Sequence, residues 1–424
     1  MGRDLFKSCT VFRSSVLELD EVHKASTGRS LVELGLFADV PYESSDPLGD
    51  PWPIALTLPA LTMLQLALFD TLVAAGVSPD IVVGHSAGET AVLAASGAAS
   101  KAASLELAIA RGQALSVVET AKGTMAAFSC SPEGANAIIA AVKAELGDGV
   151  LEIGCYNTPG AVTLSGAESH VVLAVSKANE AGIFARKLRT RVPVHSQLME
   201  LCRNEFEKAV GDVFTRHPVS PPTLETYSTL TGEHFGGSFD ARYFWDGTLR
   251  PVQFTSAIQS LSSQHPNATF VEIGPHPVLS SYITEMTGKN AVATCPMRRP
   301  KVFKEGSEVV EFLSALGKLI TAGHNCVDFD ALYGSSGAYK GTLPRYPFAA
   351  KKVPWYFPSL EIIRQRQNRN GPLNYPQLQI NSQTHPALAE HVIKGEPIMP
   401  AAGFIEMVRG STCQQVTVCT DYIV

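Results

Sequence analysis

The feature that most constrains this chain is Gly84-His85-Ser86-Ala87-Gly88, set directly behind the β-branched run Ile81-Val82-Val83 and ahead of the helical stretch Glu89 to Ser96. A G-x-S-x-G at a strand-to-helix turn holds its serine exposed on a sharp bend. Its glycines let the backbone turn and the helix pack close. The first N–H groups and the dipole of that helix then lie beside the hydroxyl, ready for a developing oxyanion. Such a turn belongs to a mainly parallel α/β sheet, in which Ile81-Val82-Val83 reads as a fully buried strand. A nucleophilic serine is the favoured reading, and a glycine-rich turn with a structural serine is its competitor.

The rest of the chain leaves room for such a core. Its 424 residues correspond to two or three domains at roughly 150 residues each. With 45% hydrophobic and 17% charged residues it is neither disordered nor a coiled coil. A net charge of −6 argues against a broad nucleic-acid face. The eight cysteines are scattered, with no Cys-x-x-Cys and no zinc spacing, as expected of reduced thiols in a cytoplasmic protein. Met1-Gly2-Arg3-Asp4 opens no secretory apolar segment. Residues 51–69 carry no charge and could cross a bilayer by length. Pro53 and Pro59 interrupt that stretch, and Leu61, Leu64, Leu68 and Leu72 recur at helical spacing, so a core helix and no membrane span is expected.

Ser104 to Glu119 predicts a second helix. Within 123–187, alternating segments at 125–129, 151–155 and 161–165 surround helical stretches at 132–146 and 168–181, which predicts a small α+β subdomain inserted into the core. Phe184 to Val194 reads as a strand-like run, and Phe270-Val271-Glu272-Ile273 as another buried strand stopped by Gly274-Pro275. A helix over 308–322 follows. The segment 343–358 is rich in proline and aromatics, as in an extended surface linker; 365–371 is polar, and a new apolar unit begins near Tyr375.

A serine nucleophile needs a base, and eleven histidines compete. His85 points away from Ser86 along the turn and reads as structural. His195, in Val192-Pro193-Val194-His195-Ser196, fits a packed or capping residue as well as a base. Arg111 lies mid-helix between Ala110 and Gly112, whose small side chains leave space beside the guanidinium. Its fork of donors suits a carboxylate, and a solvated surface arginine is the alternative.

Taken together, Gly84-His85-Ser86-Ala87-Gly88-Glu89, Arg111-Gly112, Asn157-Thr158-Pro159-Gly160-Ala161-Val162, His195-Ser196 and Glu272-Ile273-Gly274-Pro275-His276-Pro277 resemble, in this order, the acyltransferase domain of fatty-acid and polyketide synthases. The resemblance covers about residues 1–300. Leu343 to Trp355 is similar to the linker that follows this domain, and His391-Val392-Ile393-Lys394-Gly395-Glu396-Pro397-Ile398-Met399-Pro400 to the H-x3-G-x4-P of the synthase dehydratase, a double hot-dog domain. That order of domains resembles the highly reducing iterative polyketide synthases of fungal type.

The resemblance implies an α/β fold: a hydrolase-like parallel-sheet core at 1–122 and 188–300 and an inserted ferredoxin-like subdomain at 123–187. A helix and linker at 301–371 and a truncated hot-dog segment at 372–424 complete it. It makes Ser86 the nucleophile, His195 its base, Arg111 the partner of the extender's carboxylate and Ala87 N–H an oxyanion donor. Asn157 falls near the acyl site, His276 in a structural motif, and His391 in half of a dehydratase site whose acidic partner is not in the sequence. The substrates implied are malonyl-CoA and the phosphopantetheine thiol of an acyl carrier protein, with no bound cofactor or metal. Further partners implied are a ketosynthase upstream and the rest of the dehydratase downstream. The family pattern opens on a strand leading into a Gly-Gln-Gly turn whose glutamine lines the oxyanion hole; neither is in this sequence, so a fragment of a megasynthase is expected. The competing readings are a serine hydrolase of the α/β-hydrolase type and a non-catalytic fragment.

Overall fold

The uncharged run after Pro53 forms helix α3 (Ile54–Ala74), behind α1 (Arg3–Ser8) and α2 (Thr10–Thr27), in the computed structural model of the chain. The structure describes residues 2–37, 51–288, 291–299, 305–333 and 390–405. By length and composition α3 could cross a membrane, yet 61% of its apolar window is buried inside the fold. Met63, Leu64, Ala67 and Leu68 pack in one core with Phe12, Val16 and Leu19 of α2. After α3 come β1 (Ile81–Val83), the serine turn, α4 (Glu89–Ala95) and α5 (Lys101–Ser116). Helix α5 begins earlier than the sequence predicts because Ser100 caps it, its side chain accepting from Ala103 N at 3.1 Å. It ends in a 3-10 turn at Val117–Ala121, where Glu119 turns back to accept from Ile54 N at 2.7 Å and caps α3.

The inserted unit follows, with β2 (Gly123–Phe128), α6 (Pro132–Leu146), β3 (Leu151–Thr158), β4 (Ala161–Ala167), α7 (Glu168–Glu180) and β5 (Ala185–Lys187). Its four antiparallel strands lie in the order β3-β4-β2-β5. This is the βαββαβ arrangement of a ferredoxin-like unit. Helix α6 has the local signals for its place: a Ser131 cap, Pro132 in its first turn and Gly147 at positive φ after its end. The expected strand from 184 to 194 is only three residues long. Beyond Lys187 the chain leaves the sheet, and Pro193, which has no N–H to give a ladder, packs against Gly123.

The remaining elements are α8 (Arg203–Arg216), β6 (Glu225–Ser228), β7 (Glu233–His234), α9 (Ala241–Leu249), α10 (Phe254–Gln264), β8 (Phe270–Val271), α11 (Ser280–Thr287), β9 (Ala293–Thr294), α12 (Ser307–Thr321) and α13 (Phe329–Tyr333). Strand β1 pairs in parallel with β6, and β8 in parallel with β9. The expectation that Ile81–Val83 is fully buried does not hold. All three residues are half-buried, since among the described residues β1 is hydrogen-bonded on one side only. The strand expected over Phe270 to Ile273 likewise shortens to Phe270–Val271 and is half-buried.

The chain divides into two compact units, Met1–Tyr339 and Lys340–Val424. In the second, β10 (Val392–Ile393) and β11 (Glu396–Pro397) form a hairpin. Lys394 and Gly395 both take positive φ at its turn, as a tight hairpin requires. The stretches 343–358 and 365–371 and the start near Tyr375 lie outside the described residues.

Candidate active site

Ser86 lies where the sequence puts it, between β1 and α4, and its φ is +54°. Few non-glycine residues sit there without a reason. A side chain on Gly84 would strike Glu89 N at 2.6 Å, so this glycine lets α4 close over the end of β1. Gly88 is different: its backbone is ordinary right-handed helix and a Cβ there would meet only Gln65 Nε2 at 3.8 Å, so the turn itself does not demand a second glycine.

His195 is the histidine brought to Ser86. Its Nε2 stands 2.6 Å from Ser86 Oγ, and its Nδ1 stands 2.9 Å from the Arg250 carbonyl. A carbonyl can only accept, so Nδ1 carries the proton and Nε2 is free to take one from the serine. His195 also has positive φ (65°), and its N–H is held by the Thr248 carbonyl at 2.9 Å. Burial pushes its pKa down to about 3, against the opposing pull of the Arg250 carbonyl. The nearby His85 and Arg111 act in the same direction as burial. The imidazole is therefore neutral across the physiological range.

Arg111 is not a surface residue: only 3% of it is exposed. Its Nη1 donates to Thr90 Oγ1 in α4, and its Nη2 to Thr248 Oγ1 in α9 at 3.2 Å. Among the described residues its Nε has no hydrogen-bond partner, and no carboxylate lies within ion-pair distance of the guanidinium. Burial lowers its pKa to about 10, which leaves it charged at neutral pH. Glu89 lines the same cavity as Arg111 and helps keep the guanidinium charged, but it makes no direct ion pair, so part of the donor fork is left open to a carboxylate. The expected role of Gly112 needs correction. A Cβ on it would meet Ala55 Cα at 3.0 Å, so the glycine brings α5 against α3 and opens nothing beside the guanidinium.

Ser86, Arg111, Glu89, Thr229, Tyr243 and Phe244 line one small cavity. Thr248 joins the two functional halves, since its hydroxyl takes Arg111 and its carbonyl takes the His195 amide. Ala87 lies in the first turn after the serine. Asn157 is at the site's edge, but it touches His85 and not Ser86: its Oδ1 is 2.8 Å from His85 Nε2, while its Nδ2 donates to Thr163 Oγ1 at 3.1 Å. The pair ties the inserted unit to the serine turn. His276 Nδ1 accepts from Arg299 N at 3.2 Å, a structural contact. Among the described residues no group of His, Cys, Asp or Glu side chains could hold a metal ion.

The model of the acyl transferase domain family matches residues 1–326. The chain belongs to that family. This acyl transferase is 45% identical over 414 residues to the highly reducing polyketide synthase stpks1 of Strobilurus tenacellus, covering 96% of the chain and 15% of that protein. It is 28% identical to the probable polyketide synthase 17 of Dictyostelium discoideum, over 99% of the chain and 17% of that protein. The chain thus spans about a sixth of the curated relatives it matches. Among solved structures, the acyltransferase domain from the second module of the salinomycin polyketide synthase aligns with a TM-score of 0.66 at 31% identity, over 82% of this chain and 76% of that one. These relatives are polyketide-synthase proteins and not hydrolases, which decides against the α/β-hydrolase reading.

Four parts of this candidate site carry no clear signal in the sequence pattern. Thr90 and Glu89 follow the motif directly and could have been noticed as polar residues inside a helix with an apolar remainder. Thr248 gave no local signal. Arg250 contributes only its carbonyl, which no side-chain pattern can announce.

Proposed function

We propose that the chain transfers a malonyl unit from malonyl-CoA to the phosphopantetheine thiol of an acyl carrier protein, through a malonyl ester on Ser86. The observation that carries this reading is a serine 2.6 Å from a buried neutral imidazole, in one cavity with a buried arginine whose Nε has no hydrogen-bond partner among the described residues. His195 Nε2 takes the Ser86 proton as Oγ adds to the thioester carbonyl. The oxyanion meets the Ala87 N–H and the N-terminal end of α4. The tetrahedral adduct collapses with loss of the C–S bond, and His195 returns its proton to the departing coenzyme A sulfur. In the second half the carrier thiol gives its proton to His195 and attacks the ester, and Ser86 leaves as the hydroxyl. Arg111 pairs with the free carboxylate throughout, and Asn157 acts indirectly, by holding His85 and the serine turn.

The reading extends to the parent protein. Relatives named as highly reducing polyketide synthases support a cytoplasmic multidomain synthase, with a ketosynthase upstream and a dehydratase whose start is 372–424. The boundaries proposed are 1–122 with 188–300, 123–187, 301–371 and 372–424. Intact-mass measurement after mixing with malonyl-CoA tests the central step. One malonyl group gained, and lost again on adding carrier protein, is the expected result; no adduct would leave a non-catalytic fragment.

A further inference from the structure

The cavity that holds Arg111 also holds a buried anion. Glu89 is 6% exposed, and its Oε1 accepts from Thr229 N at 2.8 Å and from Thr229 Oγ1 at 2.7 Å. Its Oε2 accepts from the Tyr243 hydroxyl at 3.0 Å. The two charges line the same small space without forming an ion pair, because each is held back by hydroxyls of its own. The two buried charges balance each other, while the other charged lining residue, Arg250, is exposed and engaged by Asp246. A carboxylated acyl group adds a second anion to a dry site, which is costly unless a proton comes with it.

The surroundings of Glu89 accept that proton without rearrangement. Tyr243 Oη lies 2.6 Å from Ser228 Oγ, and either oxygen can donate. With Glu89 ionised, Tyr243 donates to Glu89 and Ser228 to Tyr243. With Glu89 protonated on Oε2, the carboxyl donates to Tyr243 and Tyr243 to Ser228, while the Thr229 contacts are untouched.

We infer that Glu89 determines acyl specificity: a carboxylated acyl group seats on Arg111 with uptake of one proton by Glu89, and an uncharged acyl group seats with none. The inference rests on the reading that Arg111 takes the extender's carboxylate. The charged and titratable groups that line the cavity with Glu89 are Arg111 from α5, Tyr243 from α9, and Arg250, whose guanidinium is engaged by Asp246 at 3.5 Å. Burial already raises the Glu89 pKa, opposed by its Thr229 and Tyr243 hydrogen bonds and by Arg111. Loading itself is proton-neutral, since the serine proton leaves with the coenzyme A thiol, so any net uptake belongs to the protein.

The test is single-turnover loading of the full chain, with a pH indicator in weak buffer near neutrality. About one proton should be taken up per malonyl group loaded and none per acetyl. KM for malonyl-CoA should fall about tenfold per unit drop in pH above the titration of free Glu89. Glu89→Gln should flatten that slope. His195, neutral down to about 3, keeps the base out of the profile. Equal proton counts for malonyl and acetyl overturn the inference, as does a Glu89→Gln slope equal to wild type. The proton count on wild type stands even if the variant fails to fold. Arg111→Ala separates the two levels: equal losses for malonyl and acetyl sink the Arg111 reading, whereas a malonyl-specific loss with no proton uptake in wild type sinks the Glu89 inference alone.

Discussion

Two imidazoles in this chain are held alike on one side and differ on the other. His195 Nδ1 lies 2.9 Å from the Arg250 carbonyl, and His391 Nδ1 lies 2.7 Å from the Ile398 carbonyl. Beyond that, His195 is 1% exposed and meets the Ser86 hydroxyl. His391 sits in the exposed hairpin of the second unit, and among the described residues its Nε2 has no hydrogen-bond partner. A backbone carbonyl fixes which nitrogen carries the proton, and that is common to both. What would fit one of them to act as the proposed base is a hydroxyl on the other nitrogen and a site dry enough to keep the ring neutral.

The sharpest way to break this comparison is to remove the hydroxyl. Ser86→Ala should abolish the malonyl adduct in intact-mass measurement. His195→Ala should slow loading by about 10²–10⁴-fold, the usual worth of a positioned general base. The acetyl-loading rate of wild type should also stay level from alkaline pH down to about 5, because the folded His195 pKa is depressed well below its ordinary value of roughly 6.5. A stopped-flow profile with an acid limb centred near 6.5 would mean an imidazole as wet as an exposed one.

Arg111 comes next. Leaving a buried malonyl carboxylate without its partner costs on the order of 2–5 kcal/mol. Arg111→Ala should therefore cut malonyl loading by tens- to thousands-fold, with acetyl loading unchanged or raised. Arg111→Lys should recover only part of the loss, because a point charge cannot use Thr90 and Thr248 as the fork does. Competition between the two thioesters measures the ratio directly.

Asn157 gives a smaller effect of another kind. Asn157→Ala strands the His85 N–H and frees Thr163, at about 1–3 kcal/mol of stability. Denaturant unfolding should show that loss, and loading should fall far less than in the Ser86 or Arg111 variants.

The parts of this site that were legible in the sequence are those fixed by local backbone chemistry. The serine turn reads directly, since a strand, a glycine that must pass under α4 and a helix follow in nine residues or so. The inserted unit reads well because its periods change between two and 3.6 within short, capped segments. His195 did not read from spacing, because it reaches Ser86 across 109 residues through an irregular stretch with positive φ at its end. Arg111 read as ambiguous for a related reason: its burial is made by Thr90, Thr248 and Phe244 from other helices, none of which its neighbours in sequence reveal. The half-exposed β1 and β8 were misjudged because β-branched composition reports a tendency to pair and not the number of partners present.

The smallest expected effect is the one that sharpens the comparison most. His391→Ala should leave malonyl loading and its pH profile unchanged within error, because every residue that the proposed loading step uses lies in the first unit. It should also change nothing on a 3-hydroxyacyl thioester. Dehydration needs a base for the α-proton together with an acid for the leaving hydroxyl, and a ring exposed to water has neither a shaped substrate beside it nor the dry surroundings that strengthen a proton transfer. Its hydrogen bond to Ile398 then serves only the hairpin, across a turn already closed by Lys394 and Gly395. A chromatographic assay for the enoyl product decides the matter: dehydration by the wild-type chain that disappears in His391→Ala would show that a carbonyl-anchored, exposed imidazole is sufficient, and the distinction drawn from His195 would fall.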